Sequence, residues 1–261
     1  MYVMCNFMNK LLIILIAIIF TNSVNAECGI NGLHIFPNTE EINKNSIFMI
    51  EGYSMSQDII HGLNIHYPIY LKNGNKTIPL EVQEICIGEF NLTQAILKPV
   101  EELESNLEYD LLIDNLPEHE TYNKYGEFSL NNPIVKYRVL SKSDKDIPKL
   151  ELKPEEIGKI YLPLGCGDEI FINFNFKVND ESPILVKARV KNLATQNEVS
   201  YYLVPNKDTL QIGHSMCAGA FKLEDSDNFE VVFDFMDSSG NTFIWKGKKV
   251  RFSKPTKFTS L

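Results

Sequence analysis

Along much of this chain apolar residues recur at every second position. The clearest case is the stretch 227–252. Phe229, Val231, Phe233 and Phe235 alternate with polar or smaller residues, among them Glu230 and Asp234. This period puts the rings on one face of an extended strand and the acids on the other. Asp237-Ser238-Ser239-Gly240-Asn241 follows, with side chains that bond the local backbone and a residue that takes φ > 0 readily. Such a Gly-containing loop suits a hairpin. Phe243, Trp245, Val250 and Phe252 predict the return strand. Trp245 is the single Trp and is expected in or beside the core, because a large ring dominates burial.

The rest of the chain has the same style. Strands are predicted over 32–37, 46–53, 66–71, 77–87, 94–97, 107–114 and 134–140. Asn73-Gly74 marks a hairpin turn between two of them, and residues 101–106 allow a single helical turn. Further on, strands are predicted over 160–164, 170–178, 185–190, 200–204, 210–214 and 220–223, ahead of the closing hairpin. No helical period persists for three turns. Short strands separated by turn signals at this spacing predict β-sandwiches. The charged, proline-containing stretch 141–154, SKSDKDIPKLELKP, predicts a linker, with a boundary at about residue 145 between units of roughly 110 residues each.

The N-terminal stretch changes how the cysteines are read. Lys10 precedes the apolar run 11–20, and Val24-Asn25-Ala26 follows polar residues. This is the pattern of a cleaved export signal covering 1–26. The run is too short to span a membrane, and no later apolar segment is longer, so no membrane span is expected after cleavage. Cys28, Cys86, Cys166 and Cys217 then remain. An even count in an exported chain predicts disulfides. Three pairings are possible, and their order favours Cys28–Cys86 and Cys166–Cys217, one in each unit. There is no CxxC spacing, which argues against zinc or a thioredoxin-type pair. The formal net charge is −9 with the acids dispersed, so a nucleic-acid partner is not expected.

The hairpin at 227–252 resembles the last two strands of bacterial immunoglobulin-like domains. Leu103 and Tyr109, six apart in LESNLEYDLLID, resemble the corner of fibronectin-type and related domains. There the phenol bonds the backbone near the start of a late strand. Leu223 and Phe229 repeat the spacing without the hydroxyl. Antibody domains carry a Cys two residues after the corner Tyr, where this chain has Leu111. The resemblance is therefore to bacterial immunoglobulin-like modules in tandem, and it carries no catalytic residues.

Gly213-His214-Ser215-Met216-Cys217 resembles the G-x-S-x-G nucleophile elbow, with Cys in place of the last Gly. In that family a His follows the Ser in the chain, and here His214 is the last His. Cys166, Asp168 and His214 form a conceivable thiol set, but the Ser-x-Gly-Cys segment of exported Cys transpeptidases is missing. His61, His66 and Met55, or His214 and Met216, are the copper candidates. Exported copper carriers of immunoglobulin-like fold use an N-terminal His that this chain lacks. Asp225, Asp227, Asp234 and Asp237 are acidic-loop residues near the hairpin. Their spacing begins like an EF-hand loop, but Phe229 and Glu230 break it. Asn75 and Asn91 head glycosylation sequons.

The sequence thus predicts an all-β chain of two tandem immunoglobulin-like antiparallel β-sandwiches, over 27–144 and 145–261. The expected role is an exported, non-enzymatic binding or structural module at the periplasm or cell surface. It would act through sandwich loops or edge strands on another protein or a surface polysaccharide. No cofactor, metal or catalytic residue is expected. The alternatives are a periplasmic copper carrier and a serine or cysteine hydrolase.

Overall fold

The structure is a computed structural model, and it describes residues 32–127, 134–165, 167–224 and 226–255. The signal segment, Cys28, Cys166 and Asp225 lie outside the described residues.

The first unit contains β1 (Gly32–Phe36), β2 (Glu41–Ile42), β3 (Phe48–Tyr53), the short helix α1 (Gln57–His61), β4 (Ile69–Asn73), β5 (Lys76–Ile87), β6 (Leu92–Pro99), β7 (Glu108–Ile113), β8 (Tyr122–Lys124) and β9 (Val135–Val139). Its strands follow the order β2-β9-β7-β4-β5-β6-β3-β1-β8. The short edges β8 and β2 join in parallel to β1 and β9, and the other neighbours are antiparallel. β5 belongs to both layers. Residues 76–79 pair with β4 and residues 80–87 with β6, with a register shift between Val82 and Glu84. Such an irregularity bends a strand, and here it folds one sheet over the other. The core between the layers holds Leu33, Ile35, Phe48, Ile50, Leu71, Ile78, Leu97, Tyr109, Leu111 and Tyr137.

The hairpin expected around Asn73-Gly74 is the β4–β5 turn, in which Asn73 pairs with Lys76 and Gly74 takes φ 54°. Leu103 and Tyr109 are buried, and the Tyr109 phenol accepts the Glu104 amide at 3.4 Å, as the corner resemblance implies. Two local expectations change. Residues 101–106 form a turn without helix, and the helical residues lie instead at 54–61. α1 buries Ile59 and Ile60 close over β3. A Cβ on Gly52 would stand 2.5 Å from the Ser56 carbonyl oxygen, so only glycine permits that approach.

The second unit contains β10 (Lys149–Leu164), β11 (Gly167–Asn179), β12 (Ile184–Asn192), β13 (Glu198–Leu203), β14 (Thr209–His214), β15 (Asn228–Asp237), β16 (Thr242–Phe243) and β17 (Val250–Ser253). One sheet runs β10-β11-β14, and the other runs β13-β12-β15-β16 with β17 also on β15. All these pairs are antiparallel. The closing hairpin lies in register as its pattern predicts, with Phe229 opposite Phe252 and Phe235 opposite Phe243. Phe229, Val231, Phe233 and Phe235 are all buried, facing Phe174 and Phe176 of β11. On the other face Asp234 pairs with Arg189, and Glu230 with Lys249 and Arg251.

Three expectations are corrected here. Trp245 is outside the core. It lies half-buried between β16 and β17, its indole N–H donating to the Lys248 carbonyl at 3.2 Å, because the phenylalanines already fill the interior. Residues 220–223 form no strand, although Ala220, Phe221 and Leu223 are buried. The predicted linker is shorter, since β10 begins at Lys149. β10 is a long edge strand whose Pro154, Pro163 and mixed charges limit further pairing.

The fold is therefore all-β, two antiparallel sandwiches in the immunoglobulin-like style. The outer face of β3, β5 and β6 is covered. Met49, Cys86 and Ile96 join the second unit's core, so β3 is buried on both faces.

Candidate functional site

The period of β3 sends Phe48 and Ile50 into the first core, and Met49 and Glu51 outward. Outward is toward the second unit, where β13 is an edge strand with unpaired backbone groups. Gln94 on β6 satisfies them. Its Oε1 accepts the Tyr202 amide at 2.7 Å, and its Nε2 donates to the Tyr202 carbonyl at 3.0 Å. The side-chain amide thus stands in for one residue of a neighbouring strand. Glu84 reinforces the seam, pairing with Lys187 and accepting the Tyr202 phenol at 3.0 Å. Residues 47 and 90 add backbone contacts, to Ser238 and Gly219.

Beside this clamp lies a cleft of about 340 Å³. Tyr125, Phe171, Tyr201, Leu92, Leu203 and Val204 supply its rings and aliphatic surface. Thr209, Gln211 and Ser215 add polar groups along the β14 side. Glu51 also lines it, only 6% exposed, and accepts the Tyr201 phenol at 2.9 Å. Burial pushes the Glu51 carboxyl up to about 7, against the opposing hydrogen bonds from Tyr201 and Gln94. Its charge in turn, with burial, raises the Tyr125 phenol, and burial followed by that charge raises the Tyr201 phenol. Among the described residues no Lys or Arg pairs with Glu51. The arrangement is a nearly buried carboxylate that shares the cleft lining with Tyr125, Phe171 and Tyr201, a combination suited to an organic cation.

The sequence candidates fall elsewhere. Ser215 borders the cleft, but its hydroxyl donates to the Ala218 carbonyl at 3.0 Å and accepts the Ala218 amide at 3.2 Å. It is held in its own turn. The His214 Nδ1 lies 2.9 Å from the Ser215 carbonyl oxygen. Its Nε2 is buried with no hydrogen-bond partner among the described residues, and the ring is edge-on to Phe90. Asp168 accepts the Tyr161 phenol. His61, His66 and Met55 are exposed, and among the described residues the histidines join no group of three metal-ligating side chains. Asp234 is committed to Arg189, and among the described acidic-loop candidates only Asp237 enters a carboxylate group, with Asp144 and Asp180.

Cys86 is a free thiol, so the expected Cys28–Cys86 bridge is not formed in this structure. The physical reason is its position: Cys86 points from β5 into the packed seam, where Met49 and Ile96 cover it. Burial, then the neighbouring Glu84 charge, pushes its thiol up to about 12, which suppresses the reactive thiolate. Iodoacetamide at pH 8 should leave Cys86 unmodified in the native protein and label it in urea. Peptide mass mapping reads the result, and labelling at equal rates in both states would refute the burial.

The fold thus defines an all-β tandem-sandwich protein with a cleft at the seam between its units. No family model matches the chain, and the search of curated proteins found no match. Likeness to solved structures is distant. The pullulanase from Anoxybacillus sp. LM18-11, complexed with maltotriose, shares 11% identity at a TM-score of 0.25, over 84% of this chain and 25% of that one. Pullulanase type I from Bacillus subtilis str. 168 shares 9% at 0.24, over 85% and 24%. The tandem Ig repeats of Dlar share 10% at 0.22, over 86% and 98%. The chain spans about a quarter of the length of these pullulanases.

Proposed function

We propose that the chain is an exported, non-enzymatic binding module whose seam cleft receives a cationic side chain, such as a lysine, from a partner protein. The observation that supports this is Glu51, a nearly buried carboxylate with no cationic partner among the described residues, which lines the cleft with Tyr125 and Tyr201. A neutral polysaccharide would leave that charge unanswered, so a protein partner is preferred. Export rests on the apolar run ahead of Ala26. A Cys166–Cys217 bridge goes with it. It is supported by Gly167, which packs against the Met216 backbone beside Cys217. Among the described residues no helix is long and apolar enough to cross a membrane.

The test is calorimetric titration at pH 8 with Nα-acetyl-lysine amide and its uncharged analogue Nα-acetyl-norleucine amide. A charged hydrogen bond contributes about 1.5–3 kcal/mol, so the lysine probe should bind roughly tenfold or more tightly. Glu51→Gln should remove the preference. Equal affinity for both probes, or a preference kept in Glu51→Gln, would overturn the reading.

A further inference from the structure

β13 and β14 end the two sheets of the second unit, are joined by residues 204–208, and both border the seam cleft. Their open edges differ. That of β13 is answered from within the chain, where Gln94 takes both backbone groups of Tyr202. That of β14 can be followed residue by residue. Thr209 exchanges both of its backbone bonds with Asn206, at 2.9 and 3.1 Å, so Thr209 faces away from β11. The Asp208 carbonyl accepts the Phe176 amide at 3.0 Å, so position 208 faces toward β11. In an antiparallel ladder this orientation alternates. Leu210, Ile212 and His214 therefore bond toward β11, and Gln211 and Gly213 toward the open edge. The Gly213 carbonyl agrees, since it accepts the amide of Phe221, which lies outside the sheet, at 3.4 Å.

The N–H and C=O of Gln211 are left between these two closed ends. Among the described residues no hydrogen bond closes the edge there. Gln211 is exposed, and its side chain is engaged elsewhere, with Nε2 donating to Asn173 Oδ1 at 3.1 Å. Edge strands are commonly protected by proline or charge, as β10 is by both. β14, TLQIGH, contains no proline, Lys, Arg, Asp or Glu. A second, independent feature shares the place. Gln211 lines the same cleft of about 340 Å³ as Glu51, the nearly buried carboxylate without a cationic partner among the described residues. The cleft thus presents a backbone donor and acceptor in strand geometry together with an unanswered negative charge. A short extended peptide that carries a lysine answers both.

We propose that the partner protein docks by adding an extended segment to the β14 edge at Gln211, with a lysine of that segment entering the cleft toward Glu51. The inference rests on the reading of Glu51 as the acceptor of a cationic side chain, and adds the backbone conformation in which that side chain arrives. In strand addition the main-chain bonds supply affinity and the side-chain pockets supply specificity. Here the opening is one residue long, so a single residue of the partner exchanges both of its backbone bonds with Gln211.

The experiment uses the whole chain at pH 8 and the probe acetyl-valyl-lysyl-valine amide. Its controls are the norleucine counterpart and three versions that each carry one N-methyl group on a different residue. Calorimetric titration should show the lysine tripeptide binding roughly tenfold or more tightly than Nα-acetyl-lysine amide, as two added backbone hydrogen bonds allow. N-methylation should remove that gain at one position and spare it at another. NMR should show the Gln211 amide exchanging freely with water in the protein alone and protected once the tripeptide is added. No protection of Gln211, with N-methylation neutral at every position, overturns the proposal, while a lysine preference kept in that case leaves the reading of Glu51 standing. Protection of Gln211 with equal affinity for the norleucine tripeptide supports the edge pairing and overturns the reading of Glu51. Protection in the protein alone that rises with protein concentration would mean that a second copy of this chain covers the edge, and also overturns the proposal.

Discussion

Replacing Phe233 by Ala should cost about 3–5 kcal/mol, the range for removing a large aromatic side chain from a packed core. Phe233 is 1% exposed and stands at the middle of β15, flanked on the same face by Val231 and Phe235. Its ring meets Phe174 edge to face at 5.3 Å across the two sheets, and Ala188 lies opposite it on β12. Ala188 is too small to fill the space that the ring would vacate, and neither sheet can collapse without moving its hydrogen-bonded neighbours. A net stability of about 5–15 kcal/mol is typical for a folded protein, so the variant should lose a large fraction of it. Urea unfolding followed by the fluorescence of Trp245 measures the effect. Val232→Ala is the control, because Val232 lies on the opposite face and is half-buried; it should cost roughly 1 kcal/mol or less. Equal destabilisation by the two changes would mean that β15 does not present its even and odd positions as described.

That prediction was open to a reader of the sequence, since the alternation of phenylalanines names the buried face. The strand class, the β4–β5 turn and the corner at Tyr109 were legible for the same reason, as each depends on residues within one short segment. β3 gives a subtler signal. Its run SIFMI is apolar at successive positions and not at alternate ones, the pattern of a strand buried on both faces. The second burying surface is the other unit, and Met49 and Ile96 record it. What failed locally has local causes. Residues 220–223 are apolar enough for a strand, but they are buried as a loop wrapped over the second core. α1 is a single short helix whose Ile59 and Ile60 offer too little periodicity to read. Lys149 to Pro154 has the polarity of a linker because β10 is an exposed edge. The candidate sites lay beyond reach for a different reason. Glu51 sits in an apolar strand where an outward acid is unremarkable, and its meaning comes from Tyr201, 150 residues later. Asp237 groups in sequence with Asp225, Asp227 and Asp234, whereas its spatial neighbours Asp144 and Asp180 come from two other loops. An even count pairs Cys86 with Cys28, but counting is blind to whether a side chain points into a packed seam.

Between pH 4.5 and about 7, Glu51 should make the protein progressively less stable as pH rises. Its carboxyl has an ordinary value of 4.5 in the unfolded chain and about 7 in the fold, with burial as the cause. Within that window the folded state keeps a proton that the unfolded state has released. Stability falls with rising pH wherever the folded state binds more protons. Below about 4.5 both states are protonated, and the folded state does not have to bury a charge. Above about 7 both are ionised, and the full cost of burying the charged carboxylate, only partly offset by the hydrogen bonds from Tyr201 and Gln94, is present. One unit of difference corresponds to about 1.36 kcal/mol, so the whole span amounts to on the order of 3 kcal/mol. Glu89, Glu120, Asp180 and Asp237 are shifted in the same direction, so the wild-type profile alone does not isolate Glu51. Glu51→Gln does, because a neutral amide still accepts the Tyr201 phenol and never ionises. Urea unfolding of both proteins at pH 4.5, 6 and 8 is the measurement. The variant should gain on the wild type as pH rises, with the difference largest at pH 8. Parallel profiles would show that Glu51 carries its charge without penalty, and the cleft would then have no buried acid to hold a cation.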